Sequence, residues 1–430
     1  MSPRMNDGRS RTTHISQILE TIEQRDPLVR AYCEVSDKQA RAQVEKLDAL
    51  PPEKHGPLHG IGAGIKEVFD VAGALCAWGT EIHAGRRPES DAVIVQVLRD
   101  AGCVILGTTA STEYAMAKVA PTTNPHDKMR TPGASSSGSA AAVAAGMADI
   151  AIGSQTIGSG IRPAAYCGVF AFKPTQGIFS LEGAMPLSDI LDHPVIFAGD
   201  MSLIKKAFDV LCCSDAALTQ NLKTSHKLPE QSSPLKIALV TPWFNDAYSA
   251  DVWNMVSSFA RQIPQVECNI ETLPEQIGAQ EEACLQTILA ADMWRHHGDD
   301  YRLHADKMSD GLKTWLERGR DIKAQDYRAA LDERLELLAE AWNALDGYDF
   351  VMTLATTDTA PLLTEGTGSR APQRLWNLLG CPALTGPVGT IDGLPVGIQI
   401  ISRPGSDAEL LNFAAKIFGD TISIVNSPER

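Results

Sequence analysis

No run of 18 apolar residues, no Cys-x-x-Cys pair, no Gly-x-Ser-x-Gly elbow and no Gly-Lys-Ser/Thr phosphate loop occurs in this chain. The first absence excludes a membrane-spanning helix. The nine cysteines are odd in number, scattered, and never at zinc-ligand spacing with histidines. That usage fits a reducing compartment, predicts no bound metal, and makes the cytoplasm the expected location. The opening residues, MSPRMNDGRSRTTH, lack the apolar segment of a signal peptide. Positive charge is also short, with a net charge of −15 at pH 7. Such a chain has little to neutralise phosphates, so no nucleic-acid partner is expected.

What is present is an ordinary globular composition, with 44% apolar and 21% charged residues over 430 positions. A chain of that length buries a large core and has room for a deep pocket. No linker, repeat or low-complexity stretch divides it, so residues 1–430 read as a single domain. Helical spacing runs over 15–48, broken at Pro27, and a helix is predicted from about Ala92 to Ala101. The runs Val104–Gly107, Ile150–Gly153, Val169–Phe172, Ile237–Val240, Phe350–Leu354 and Gly397–Ile401 predict buried strands. The alternation gives an α/β fold with a substantial sheet. Residues 215–235 are polar and turn-rich, a surface excursion. Residues 278–345 read as mainly helical, with a stripe at Leu331, Leu335, Leu338 and Trp342 that predicts packing on the core.

Two small-residue loops and one lysine carry the chemistry. Ser135 sits in Pro132-Gly-Ala-Ser-Ser-Ser-Gly-Ser139, ahead of an alanine-rich helix. Ser159 sits in Ser154-Gln-Thr-Ile-Gly-Ser-Gly160, before Arg162-Pro163, where proline suits a first helical turn. Lys66 lies in the apolar frame Gly64-Ile-Lys-Glu-Val-Phe69. The glycines at 60, 62 and 64 have the wrong spacing for a dinucleotide loop. Taken alone, Lys66 reads as a surface or interface lysine and Ser135 as a loop residue. Lys173, in Lys-Pro-Thr, is the rival base, and its context reads as structural. His296-His297 reads as a solvated pair on an exposed helix, and His193 as a turn residue that could line a pocket.

Together these elements resemble the amidase signature family, which pairs a Gly-Gly-Ser-Ser-Gly-Gly-Ser loop with an Asp-Thr-Gly-Gly-Ser-x-x-x-Pro-Ala loop and an upstream Gly-Val/Ile-Lys. All three occur here in that order, at intervals that resemble the family's own. The likeness runs from about residue 15 to 420 and includes Asn377-Leu-Leu-Gly-Cys-Pro-Ala-Leu384. It is weakest over 215–345. It implies an α/β/α sandwich around a large, twisted, mixed sheet. It further implies Ser159 as nucleophile, Ser135 as a bridging serine in a cis peptide, and Lys66 as base. The backbone N–H groups of Thr156, Ile157, Gly158 and Ser159 would cradle the oxyanion. A lysine base must have its pKa brought down from about 10.4 to near neutrality, a change worth roughly 4 kcal/mol of desolvation or neighbouring charge.

Gln155 stands where the family has an acidic residue, Ile157 where it has a glycine, and Arg162 sits one place later than the family's arginine. An Asp–Arg pair lost together, with Arg162 redirected, is the economical reading. Ile157 does not readily adopt φ > 0, so the loop either avoids that geometry or is strained. Ser136, Ser154, Gln155, Arg162 and His193 are candidates for substrate contact or support. The expected activity is hydrolysis of a small or medium amide or ureide through an acyl-enzyme, with no cofactor, in a homodimer. The alternatives are an amidotransferase-type subunit working with a partner, and a catalytically silent binding protein on the same fold. The helical 278–345 region is expected to shape substrate choice.

Overall fold

The computed structural model describes residues 10–212 and 234–419. Eleven strands form one sheet: β1 (Tyr32–Val35), β2 (Gly62–Lys66), β3 (Val104–Thr109), β4 (Ile150–Gln155), β5 (Phe170–Lys173), β6 (His193–Ala198), β7 (Leu235–Val240), β8 (Val266–Glu271), β9 (Phe350–Leu354), β10 (Ala383–Ile391) and β11 (Leu394–Ile401). Their order is β1-β3-β2-β4-β6-β5-β10-β11-β9-β7-β8. The sheet is mixed. β3, β2 and β4 run parallel, as do β9, β7 and β8, while the remaining neighbours are antiparallel.

Side chains alternate between two apolar layers, as the period of a strand requires. Ile150, Ile152 and Ile196 join one core, whereas Ala151, Val195 and Phe197 join the other. The second core is closed by the N-terminal helix, through Ile15, Ile18 and Ile22, and by the alanine-rich helix Ser137–Ala144, buried at every residue. Helices therefore cover both faces, which is the α/β/α arrangement.

The six expected runs are strands β3, β4, β5, β7, β9 and β11, and five more strands, β1, β2, β6, β8 and β10, join them. β1 and β8 are edge strands with exposed positions, so their patterns are not continuously apolar. The helical spacing expected over 15–48, broken at Pro27, is two helices, Arg11–Val29 and Asp37–Asp48, but the break is β1 between them, and Pro27 lies inside the first helix's last turn. His193 is not in a turn: it opens β6, which pairs antiparallel with β4 and β5. Gly386 and Pro387 interrupt β10 and mask its strand pattern.

The 278–345 region is indeed helical, as Glu275–His304, Asp310–Asp321 and Ala324–Ala344. Its stripe is shifted from the expected one. Leu335 is 58% exposed, and Leu337, Ala341 and Trp342 supply the buried face, with Leu331 and Leu338 packed at its margin. The surface excursion expected over 215–235 falls outside the described residues up to position 233. Among the described residues no helix is long and apolar enough to cross a membrane.

Candidate active site

The parallel trio β3-β2-β4 brings three C-terminal ends together, Thr109, Lys66 and Gln155. The loops that leave these ends build the site, the usual outcome where parallel strands finish side by side. Every residue of β2 is buried, and Lys66, its last, is fully so. The lysine Nζ donates to Ser135 Oγ at 2.7 Å and to Ser154 Oγ at 2.8 Å. Burial lowers its pKa to about 7, against the opposing pull of Asp192 and Glu67. Near pH 7 a substantial fraction is then the neutral amine, which can accept a proton from Ser135 along the same contact.

Ser135 follows a cis peptide bond from Ala134. The loop before it turns at Gly133 (φ 86°), where a Cβ would lie 2.8 Å from Pro163 Cα, so glycine lets the two serine loops meet. Thr131 Oγ1 accepts from Gly133 N, and Ser137 Oγ donates to Gly133 O. Ser136 joins the loops: its N–H donates to Ser159 O at 3.2 Å, and its hydroxyl donates to Ser154 O and accepts from Ser154 N. Ser136 and Ser154 thus support the lysine and the bridging serine.

Ser159 lies in the turn between β4 and the helix Ile161–Cys167. Gln155 Oε1 accepts from Gly160 N and Ile161 N, both at 3.0 Å, and Gln155 Nε2 donates to Asn377 Oδ1. Asn377 Nδ2 in turn holds Thr156 O (2.6 Å) and Leu191 O (3.0 Å). The Thr156 hydroxyl donates to Asp192, whose other oxygen accepts from Leu187 N and Ser188 N. With these carbonyls and side chains fixed, the N–H groups of Thr156, Ile157, Gly158 and Ser159 donate to no acceptor among the described residues. Ile157 does not have a positive φ, so the loop avoids the glycine conformation.

Arg162 is turned inward. Its guanidinium donates to Gly368 O and, at 2.7 Å, to Ala134 O, the carbonyl of the cis peptide. A cavity of about 300 Å³ opens above these groups, lined by Ala134, Ser135, Thr156, Ile157, Ser159 and Arg162 among others. That volume lies at the small end for ligand pockets.

The other sequence candidates fall elsewhere. Lys173 is equally buried and also lowered to about 7 by desolvation, so pKa does not separate it from Lys66. Geometry does: its Nζ donates to Pro174 O and it does not line the cavity. His193 is buried, held by Leu191 O through Nδ1, and also does not line the cavity. Desolvation, with Lys173 nearby, pushes its pKa well below the usual value. His296 and His297 are not a solvated pair. His297 is buried against Pro186 O and lowered to about 4, while His296 pairs with Asp189. Among the described residues no group of three or more His, Cys, Asp or Glu side chains could hold a metal ion.

Three residues of the site, Asp192, Asn377 and Arg370, are not apparent from sequence reasoning. Burial raises the Asp192 carboxyl to about 6. Its one signal in the chain is an acid next to His193 within an apolar stretch. Asn377 opens a recognisable motif, but its role depends on partners about 220 residues away.

A chain with these two serine loops closed over a buried lysine is matched by the amidase family model over residues 14–411. The chain belongs to the amidase signature family, whose enzymes act on C–N bonds. A glutamyl-tRNA(Gln) amidotransferase subunit of Methanosarcina acetivorans is 31% identical, over 92% of this chain and 90% of that protein. The AtzE subunit of 1-carboxybiuret hydrolase from Pseudomonas sp. (strain ADP) is 29% identical, over 94% of each. Among solved structures, native peptide amidase from Stenotrophomonas maltophilia superposes with a TM-score of 0.81 at 25% identity, covering 96% of this chain and 94% of that one.

Proposed function

We propose that this chain is an amidohydrolase that cleaves the C–N bond of a small or medium carboxamide or ureide through an acyl-enzyme on Ser159. The observation that carries this reading is the buried 2.7 Å hydrogen bond from Lys66 Nζ to Ser135 Oγ, beside a cavity that Ser159 also lines. Neutral Lys66 takes the Ser135 proton as Ser135 takes that of Ser159, and the Ser159 oxygen attacks the carbonyl carbon. The N–H groups of residues 156–159, free of protein acceptors, receive the developing negative charge. One such donor is worth about 10²–10³-fold in rate. When the tetrahedral adduct collapses, the proton returns through Ser135 to the leaving nitrogen. Water, deprotonated by the same relay, then releases the acid. The helical segment 278–345 contributes Glu282, Leu285, Gln286 and Trp315 to an adjoining hollow and is well placed to shape the substrate.

A second reading is favoured by the Methanosarcina relative: the chain would release ammonia as one component of an amidotransferase. Two measurements on the purified chain separate the readings from each other and from a silent binding protein. A fluorophosphonate should modify Ser159 alone. Ser159→Ala should abolish labelling, and Ser135→Ala should slow it severely. Ammonia release from amides by the chain alone supports the hydrolase. Labelling with release only in the presence of a partner protein supports the amidotransferase. No modified serine at all leaves only the binding protein.

A further inference from the structure

The cavity above Ser159 is charged in a way the reaction itself does not require. Its lining includes Lys118, Arg162 and Arg370 and no aspartate or glutamate, in a chain whose net charge is −15. Arg162 is occupied, since its guanidinium serves the carbonyls of Gly368 and Ala134. Arg370 is not. Its guanidinium has one hydrogen-bond contact among the described residues, with the Met116 sulfur at 3.9 Å, and no carboxylate there lies within ion-pair distance.

The acids nearest to Arg370 are already engaged. Arg374, one helical turn further on, binds Glu281 at 3.0 Å and Glu282 at 3.2 Å, and Asp246 accepts from Ser369. The environment works against Arg370: burial and the charge of Arg374 weaken its hold on the proton, while Glu282 and Asp246 act in the other direction from beyond contact distance. A half-buried guanidinium without an ionic partner, in a substrate cavity, is open to an anion that arrives with the substrate. A planar fork of N–H donors matches a carboxylate in two parallel hydrogen bonds. A cavity at the small end for ligand pockets favours one short molecule that carries both the anion and the scissile amide.

We propose that the substrate is a short amide or ureide bearing a carboxylate, and that Arg370 is the specificity residue that binds it. This deepens the hydrolase reading and rests on it. Arg370 reaches the substrate at the end remote from the scissile bond, so it sets which amides enter, and transfers no proton.

The test is protection of Ser159 from a fluorophosphonate, at fixed ionic strength, in the full chain. Malonamate, succinamate and ureidoacetate are compared with their uncharged twins malonamide, succinamide and ureidoacetamide. At least one acid should half-protect at a concentration tenfold or more below its twin. That preference should vanish in Arg370→Gln and survive in part in Arg370→Lys, each protein first checked for a native melting transition. If Arg370→Gln does not fold, a reduced preference in Arg370→Lys carries the same weight. Equal protection by acids and twins, or a preference that persists undiminished in the folded variants, overturns the proposal. Normal labelling without acid preference sinks this proposal alone. Failure to label Ser159 sinks the hydrolase reading, and this one with it.

Discussion

Lys66 Nζ and Ser135 Oγ lie 2.7 Å apart, both groups buried, although 69 residues separate them in the chain. Lys173 matches Lys66 in burial and in its lowered pKa, yet its one side-chain hydrogen bond among the described residues goes to the carbonyl of the next residue. Lys66→Ala should therefore cut kcat by about 10³-fold or more, because members of a proton relay act as a unit. Lys173→Ala should instead lower the melting temperature, through a cavity in the core, and leave a folded enzyme active. Steady-state kinetics and thermal melting of the two variants check this. Near-native turnover in Lys66→Ala with loss in a folded Lys173→Ala would reverse the assignment.

The rate of Ser159 acylation should depend on a single low-side limb. Lys66 accepts a proton only as the neutral amine, and burial sets its midpoint at about 7. Below that pH the ammonium form predominates, so the rate should fall about tenfold per pH unit, and above it the rate should level off. His193, out of the cavity and already neutral, should not contribute. Single-turnover labelling from pH 5 to 9 tests the limb. Its disappearance in His193→Ala would point to a histidine base.

Global stability should rise from pH 7 to about 8 and decline above about 8.5. Lys66 and Lys173 have lowered pKa values, so above about 7 they are neutral in the fold while the unfolded chain still binds their protons. His193 and His297, lowered too, add the same sign until the unfolded histidines have lost theirs. Where the unfolded state binds more protons, stability rises with pH, by up to about 1.4 kcal/mol per group per pH unit. The buried thiols, Cys103, Cys167 and Cys381 among them, have the opposite sign. They stay protonated in the fold but ionise in the unfolded chain once pH exceeds about 8.5. Urea titrations under reducing conditions measure the midpoint, and a steady fall from pH 7 upward would contradict this balance.

Asn377 is the hub of the Ser159 loop. Its side chain serves Thr156 O, Leu191 O and the Gln155 amide. Asn377→Ala leaves those buried polar groups unpaired, which should cost about 2–4 kcal/mol of stability. Because Thr156 begins the run of proposed oxyanion donors, kcat should fall as well, with a smaller change in KM. Denaturant unfolding and kinetics of the same variant decide this. A loss of stability with unchanged kcat would make Asn377 purely structural.

The sequence by itself determined the central strands, the two serine loops, and the order Lys66, Ser135, Ser159. These are local matters: apolar runs make buried strands, and small residues make loops that approach closely. Tertiary structure decided the rest, because it depended on partners distant in the chain. Burial lowers two lysines alike, to about 7, and only the neighbours each one meets separate the proposed base from the other. Gln155 is read as a lost acid in one dimension. In the fold it holds two N–H groups with one oxygen and Asn377 with its nitrogen. His193 became a strand residue because β4 and β5 flank it. Arg370 had no motif at all. Its significance lies in the carboxylates that Arg374 and Ser369 engage, and charge pairing in three dimensions leaves no pattern along the chain.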